Sequence, residues 1–390
     1  MNQTTLTNPL RADGLLQENA FQRYLSLDVL RGLTIALMIV VNTPGSWSTI
    51  YAPFRHAAWH GFTVTDLVFP TFLFVVGNAM SFSMRKFEKQ GNGAFLQKVL
   101  KRTALIFLIG LFLNAYPFFQ VTDEGFRWID FAGIRLMGVL QRIALCYGIA
   151  ALAIRFFKTK GALMLGIALL LLYWGILYTA GDQPDPYSLE GNAALKLDLL
   201  IFPVANLYKG YGIPFDPEGL LSTMPAVVNV IAGYLAGLFV QARGNNSRTL
   251  LALAVSGAVL TAVALLWDIA LPVNKPIWTS SYVVLTVGLD LLLLAVLMLV
   301  IEVLQLKGWT YFFEVFGRNP LFIYAMSGMV IKTMSMIRLN GQGLSGWVYD
   351  RFYLSWAEGN NASLLFAVSY MLLMWMIGYV LDKRRIYIKV

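Results

Sequence analysis

The sequence predicts an all-α integral membrane protein, a polytopic bundle of about ten transmembrane helices with both termini cytoplasmic. Three observations predict it. Hydrophobic residues make up 58% of the chain and charged residues 13%, a balance that leaves too little polar cover for a soluble surface but suits contact with lipid. Apolar runs of roughly 17 to 25 residues, the length a helix needs to cross hydrocarbon, recur along almost the whole chain. The Lys and Arg residues behind the formal net charge of +9 fall between those runs, where they set orientation. That placement argues against nucleic acid as a partner and for the lipid bilayer.

Taken in order, residues 1–24 are largely polar and carry no apolar signal-peptide core, so they read as a cytoplasmic tail ahead of a retained first anchor. Spans follow near 27–44, 64–84, 103–119, 136–154, 162–180, 220–241, 249–267, 281–301, 311–333 and 362–381. Residues 25–382 thus form one transmembrane domain, and 383–390 a basic cytoplasmic tail. With the N-terminus inside, eighteen Lys and Arg fall in cytoplasmic connections, among them Arg11, Arg23, Arg85, Lys86, Lys89, Lys98, Lys101, Arg102 and Lys389, against eight outside. Basic residues resist translocation, so this bias fixes the orientation. Two outer connections, 181–219 and 334–361, are long and rich in Gly, Pro, Asn and aromatics; they either carry function or cap the bundle. The single cysteine, Cys146, can form no intrachain disulfide and reads as a small buried hydrophobe.

The two histidines, His56 and His60, lie between the first two spans on the outer side. Imidazole is the side chain best suited to moving protons near neutral pH. Their i, i+4 spacing would put both rings on one helical face, a geometry that also suits zinc, but no HExxH motif or neighbouring cysteine accompanies it, and no metal site is assigned. Asp66 follows His56 by ten residues, where a carboxylate can orient an imidazole or simply favour a helix N-terminus. Asn42 ends the first span and needs a polar partner. Gln141, Arg142 and Asp290 sit inside spans, where polar and ionisable groups are costly and mark functional candidates; the alternative is that Arg142 and Asp290 neutralise each other. Arg318 and Asn319 lie in the cytoplasmic half of the ninth span and, with basic residues such as Arg102, suit phosphate.

Several of these pieces resemble a known family. Ser26-Leu27-Asp28-Val29-Leu30-Arg31-Gly32, Val41-Asn42, His56-Ala57-Ala58-Trp59 and Asp66-Leu67-Val68-Phe69-Pro70 occur in order, followed by Gly138 to Arg142, Asp216-Pro217-Glu218-Gly219 and Pro272-Val273-Asn274-Lys275. Together they look like the transmembrane acyltransferases related to lysosomal heparan-alpha-glucosaminide N-acetyltransferase. The resemblance implies acetyl-CoA as cosubstrate from the cytosol, an amino-sugar acceptor on the far side and His56 as the active-site residue, with Asn42 and Asp66 beside it. His60 stands where the lysosomal enzyme has Asn and is not assigned a catalytic role. The chain is expected to lack that member's luminal domain and an additional first helix, which favours a small amino sugar over a polymer.

The expectation is therefore an acetyltransferase of a bacterial inner membrane whose active-site mouth faces the periplasm, with Arg318, Asn319, Arg102, Gln141 and Arg142 toward the cofactor; a homodimer is allowed. The competing class is an amino-sugar transporter, in which Arg142, Asp290 and Lys332 line a path.

Overall fold

Among the described residues, seven helices are long and apolar enough to cross a membrane, and the chain is a multi-pass membrane protein. The computed structural model describes residues 24–88, 91–122 and 125–388. The expected tail with Arg11 and Arg23, together with Lys89 and Lys389, and the side chains of Arg85 and Lys86, lie outside the described residues.

In chain order the helices are α1 (Leu25–Asn42), α2 (Val64–Glu88), α3 (Asn92–Ala115), α4 (Val139–Ala180), α5 (Ala193–Ile201), α6 (Leu220–Arg243), α7 (Ser247–Trp267), α8 (Ser280–Met298), α9 (Thr310–Arg318), α10 (Pro320–Met336), α11 (Leu344–Val348) and α12 (Gly359–Lys383). Two small antiparallel hairpins interrupt them: β1 (Phe119–Thr122) with β2 (Gly125–Trp128), and β3 (Arg338–Leu339) with β4 (Gln342–Gly343).

The fourth and fifth expected spans are the two arms of α4, parted where Lys158 leaves the helical region at φ 56°, ψ −173°. Two departures from the hydropathy reading have local causes. Helix α3 begins at Asn92, and Lys98, Lys101 and Arg102 fall within its length, so it drops out of the apolar set. The ninth expected span is broken into α9 and α10. A residue before proline is pushed out of the α region, and Asn319, ahead of Pro320, sits at φ −131°, ψ 51°.

Lipid tails are as apolar as leucine side chains, so helices in a bilayer associate through close packing of small residues rather than through a hydrophobic gain. The α2–α6 contact follows this rule in both directions. A Cβ on Gly77 would lie 1.8 Å from the Val230 carbonyl oxygen, and one on Gly233 would lie 1.8 Å from that of Phe74. Around this contact Leu73, Phe74, Val230 and Ile231 are buried in the main core. The packing gathers the C-terminal end of α1 and the N-terminal ends of α2, α4, α6 and α8 around one cavity, whose lining includes Asn42, Thr65, Val139, Glu218 and Lys275.

Candidate active site

Between Asn42 and Val64 the chain makes only a short 3-10 turn at Ala52–Phe54, and this loop brings His56 onto Asp66. Nδ1 of His56 lies 2.6 Å from Oδ1 of Asp66. The other carboxylate oxygen, Oδ2, accepts from the Thr63 amide (3.0 Å), the Thr63 hydroxyl (3.0 Å) and the Ala57 amide (3.2 Å). One oxygen thus closes the first turn of α2, and the other orients the ring. The Asp66 side chain is 1% exposed and that of His56 44%: the carboxylate is fixed and the imidazole faces open space. A carboxylate accepts only, so Nδ1 carries the hydrogen, and in the neutral ring Nε2 then keeps the lone pair.

The segment between α7 and α8 reaches the same ring. Lys275 Nζ lies 3.3 Å from His56 Nε2 and 3.4 Å from Nδ1. The lysine is presented by a docked loop: the Gly61 amide donates to the Val273 carbonyl (2.8 Å), and Asn274 Nδ2 approaches His60 Nδ1 at 3.3 Å. His60 therefore holds the lysine loop against the histidine loop, and burial pushes its pKa down from the ordinary value. Burial likewise pushes the Lys275 ammonium below the usual lysine range, against the pull of Glu218 and Asp66.

Opposite them, Arg135 grips two carboxylates. Its Nε and Nη2 meet Asp216 at 2.8 and 2.6 Å, and Nη2 also pairs with Glu218. The bidentate fork fixes the Asp216–Gly219 turn. Burial works against the Glu218 charge, yet Arg135, with Arg142 and Lys275, holds its pKa below the usual carboxylate range. Arg135 also lies 4.7 Å over the Tyr208 ring, and Asn114 Nδ2 anchors its backbone carbonyl at 2.8 Å.

His56, Lys275, Arg135 and Glu218 line a cavity of about 250 Å³ together with Asn42, Tyr208, Tyr211 and Tyr324. A second cavity of about 250 Å³ shares Met38, Asn42, Val139 and Tyr324 with the first and continues to Asn114, Ser327 and Lys332. Asn42 stands where the two meet. The arrangement offers a base with a free lone pair, a cation beside it and amide and phenol groups around a small chamber, which is what acyl transfer asks of a site.

The sequence-predicted catalytic residues His56, Asp66 and Asn42 thus share one end of the bundle. The residues expected toward the cofactor do not line either of these two cavities. Arg142 is buried, donates to the Gly219 carbonyl (3.1 Å) and the Ser222 hydroxyl, and lies 4.8 Å over Trp278; it braces the turn that carries Glu218. It does not pair with Asp290, which accepts from Thr71 Oγ1 at 2.6 Å. Gln141 is buried against Gly110. Arg102 lies 4.6 Å over the Tyr147 ring. Arg318 meets Asp382 (2.5 Å) and Glu314 (3.0 Å), while Asn319 ties down the C-terminal segment through Ile386 (3.0 Å) and Ile388 (2.8 Å). The α9 end packs on Asp28, about 21 Å along α1 from Asn42 at ~1.5 Å per residue. Lys332 donates to the carbonyls of Leu113 and Tyr116 at 2.6 and 3.1 Å.

Sequence reasoning missed Arg135, Glu218 and Lys275 as cavity residues. The motifs holding Glu218 and Lys275 were visible, but nothing in them says that they face His56.

The catalytic-domain profile of heparan-alpha-glucosaminide N-acetyltransferase matches residues 23–253, more than half of the chain. The chain belongs to this family. The heparan-alpha-glucosaminide N-acetyltransferase family match takes in Asn42, His56, Asp66, Arg135, Arg142 and Glu218 and stops short of Lys275. The chain is also similar to the curated heparan-alpha-glucosaminide N-acetyltransferase of Homo sapiens, 27% identical over 355 residues, or 77% of this chain and 52% of the human protein. The enzyme of the same name from Mus musculus is 26% identical over 380 residues, or 82% of this chain and 56% of the mouse protein. The chain spans about half the length of the curated relatives it matches.

Proposed function

We propose that this protein is a ten-pass transmembrane acetyltransferase that moves an acetyl group from cytosolic acetyl-CoA to a glucosamine-type amino sugar on the outer side of a bacterial inner membrane. The observation that carries the reading is the His56–Asp66 pair at 2.6 Å, with His56 lining the cavity that Asn42 also lines. Family membership and the relatives' names support acetyl transfer to an amino sugar.

In this reading Asp66 holds the ring with Nδ1 protonated, so that Nε2 takes the proton of the acceptor amine or itself carries the acetyl group. Asn42 donates its amide to the acyl carbonyl where the two cavities meet. Two adjoining chambers suit two substrates, one the acetyl end of the donor and the other the sugar. Of the basic candidates, Arg102 suits the donor's phosphates better than Arg318, whose charge is matched by Glu314 and Asp382 and which would have to exchange them.

Purified protein incubated with acetyl-CoA and glucosamine is expected to release free CoA in step with N-acetylglucosamine, and His56→Ala to abolish release. Sugar uptake into vesicles without CoA release would make it a transporter instead. An acetyl group trapped on His56 without acceptor marks the covalent route; no adduct in a competent enzyme marks direct transfer.

A further inference from the structure

We infer that Lys275 is a catalytic residue of this site: its ammonium, held over the His56 ring, donates a hydrogen bond to the acyl carbonyl oxygen as that oxygen becomes an oxyanion. The inference rests on the acetyltransferase reading and adds to it a group from outside the family-matched stretch.

Three independent features carry it. The first is distance: Nζ is 3.3 Å from Nε2, the nitrogen left with a lone pair. An atom bonded to a carbon that is attacked from Nε2, or by an amine hydrogen-bonded to it, falls within hydrogen-bond reach of a donor so placed. The second is rigidity. The Asn274 amide donates to Thr279 Oγ1 (3.0 Å), Asn274 Oδ1 accepts from the Ile277 amide (2.9 Å), and Trp278 bonds back to the Lys275 carbonyl (3.0 Å). With the bonds of Val273 to Gly61 and of Asn274 to His60, this loop is fixed at both faces, and a preorganised donor needs no rearrangement when charge develops. The third is charge. Asp66, Glu218, Arg142 and His56 lie around the lysine, and burial with Arg142 disfavours its cation while Glu218 and Asp66 favour it; in that setting one more negative oxygen beside Nζ favours the ammonium further.

The step balances. The acceptor amine's lone pair bonds to the carbonyl carbon, the carbonyl π pair moves to oxygen beside Lys275, and the amine proton passes to His56 Nε2. The oxyanion then reforms the carbonyl, the C–S bond breaks, and the departing thiolate takes the proton from Nε2. When Nε2 itself attacks, the same oxyanion forms at the same place.

The test uses the full chain in lipid nanodiscs, with two readouts: CoA release from acetyl-CoA with glucosamine, and the rate at which diethyl pyrocarbonate modifies His56 at pH 8, read by peptide mass spectrometry. Lys275→Met is expected to lower kcat by about 10²–10³-fold, the usual cost of one oxyanion donor, with KM for acetyl-CoA changed about two-fold at most. His56 is expected to react about five-fold faster, because the cation beside Nε2, which disfavours an electrophile bonding there, is gone. Lys275→Arg keeps a permanent cation; it should retain about a tenth or more of kcat and move the alkaline fall of kcat to higher pH. Unchanged kcat in Lys275→Met, or unchanged His56 reactivity, overturns the assignment. So does loss of activity in Lys275→Arg equal to that in Lys275→Met. If the wild type releases no CoA with any amino sugar while the His56 rate still rises in Lys275→Met, the acetyltransferase reading and the catalytic role both fall, and only the Lys275–His56 contact stands.

Discussion

Asp66 accepts four hydrogen bonds with two oxygens, and only one of its donors belongs to a ring that can react. That asymmetry decides what Asp66→Asn does. An amide offers one acceptor oxygen and one donor nitrogen, and three of the four donors, from Thr63 and Ala57, converge on a single oxygen. The amide oxygen stays with those three, so its nitrogen turns to His56 and forces the hydrogen from Nδ1 to Nε2. The base is then blocked although the loop keeps its shape. The expected result is a kcat about 10³–10⁴-fold lower, as for loss of the orienting carboxylate in a catalytic triad, with KM and the thermal midpoint little changed. Steady-state kinetics beside a melting curve checks this; a variant that keeps more than about a tenth of kcat would remove Asp66 from the mechanism.

At the scale of elements, the sequence showed where apolar length begins and ends but not how polar ends meet. The first, second, sixth and seventh expected spans coincide closely with α1, α2, α6 and α7, because each is a single apolar run closed by Asn, Gly or charge. Where the pattern failed, backbone geometry intervened: the Asn319-Pro320 break is invisible to hydropathy, whereas the break at Lys158 falls in the gap that hydropathy left between the fourth and fifth spans. Helix ends hold the other surprise. Asp198 on α5 caps a different helix, its Oδ1 accepting from the Leu220 amide at the start of α6 at 3.0 Å, yet burial outweighs that bond and raises its pKa to about 6. The folded chain therefore binds a proton between pH 3.8 and about 6 that the unfolded chain releases, and stability falls as pH rises through that window. The buried charge costs up to about 3 kcal/mol above it, at 1.36 kcal/mol per pKa unit. Wild-type protein should melt higher at pH 5 than at pH 7.5 relative to Asp198→Asn, in which this dependence is absent. Parallel pH slopes for the two proteins would show that Asp198 carries no such charge.

For the whole molecule, the site was legible only in its sequence-local half. His56 and Asp66 are ten residues apart and could be paired on paper, whereas Lys275 meets His56 across 219 residues and Arg135 meets Asp216 across 81; contacts at such separation leave no periodic trace. Orientation is the property of the whole chain on which the function turns, since donor and acceptor are proposed to come from opposite sides. The ten-pass reading, from its charge bias, expects the 43–63 loop outside and Lys307 inside. Cys146 is free and fully buried, so an introduced thiol can be read against a low background. Ser48 and Gly308 are both exposed, one beside each end of the bundle. On intact cells a membrane-impermeant maleimide should label Ser48→Cys and spare Gly308→Cys, which should react only after the membrane is opened. The opposite pattern would invert the topology and put His56 on the same side as cytosolic acetyl-CoA. Labelling of both sites on intact cells would place the two loops on one face, and an even number of crossings between α1 and α9 would then replace the odd number that the ten-pass reading requires.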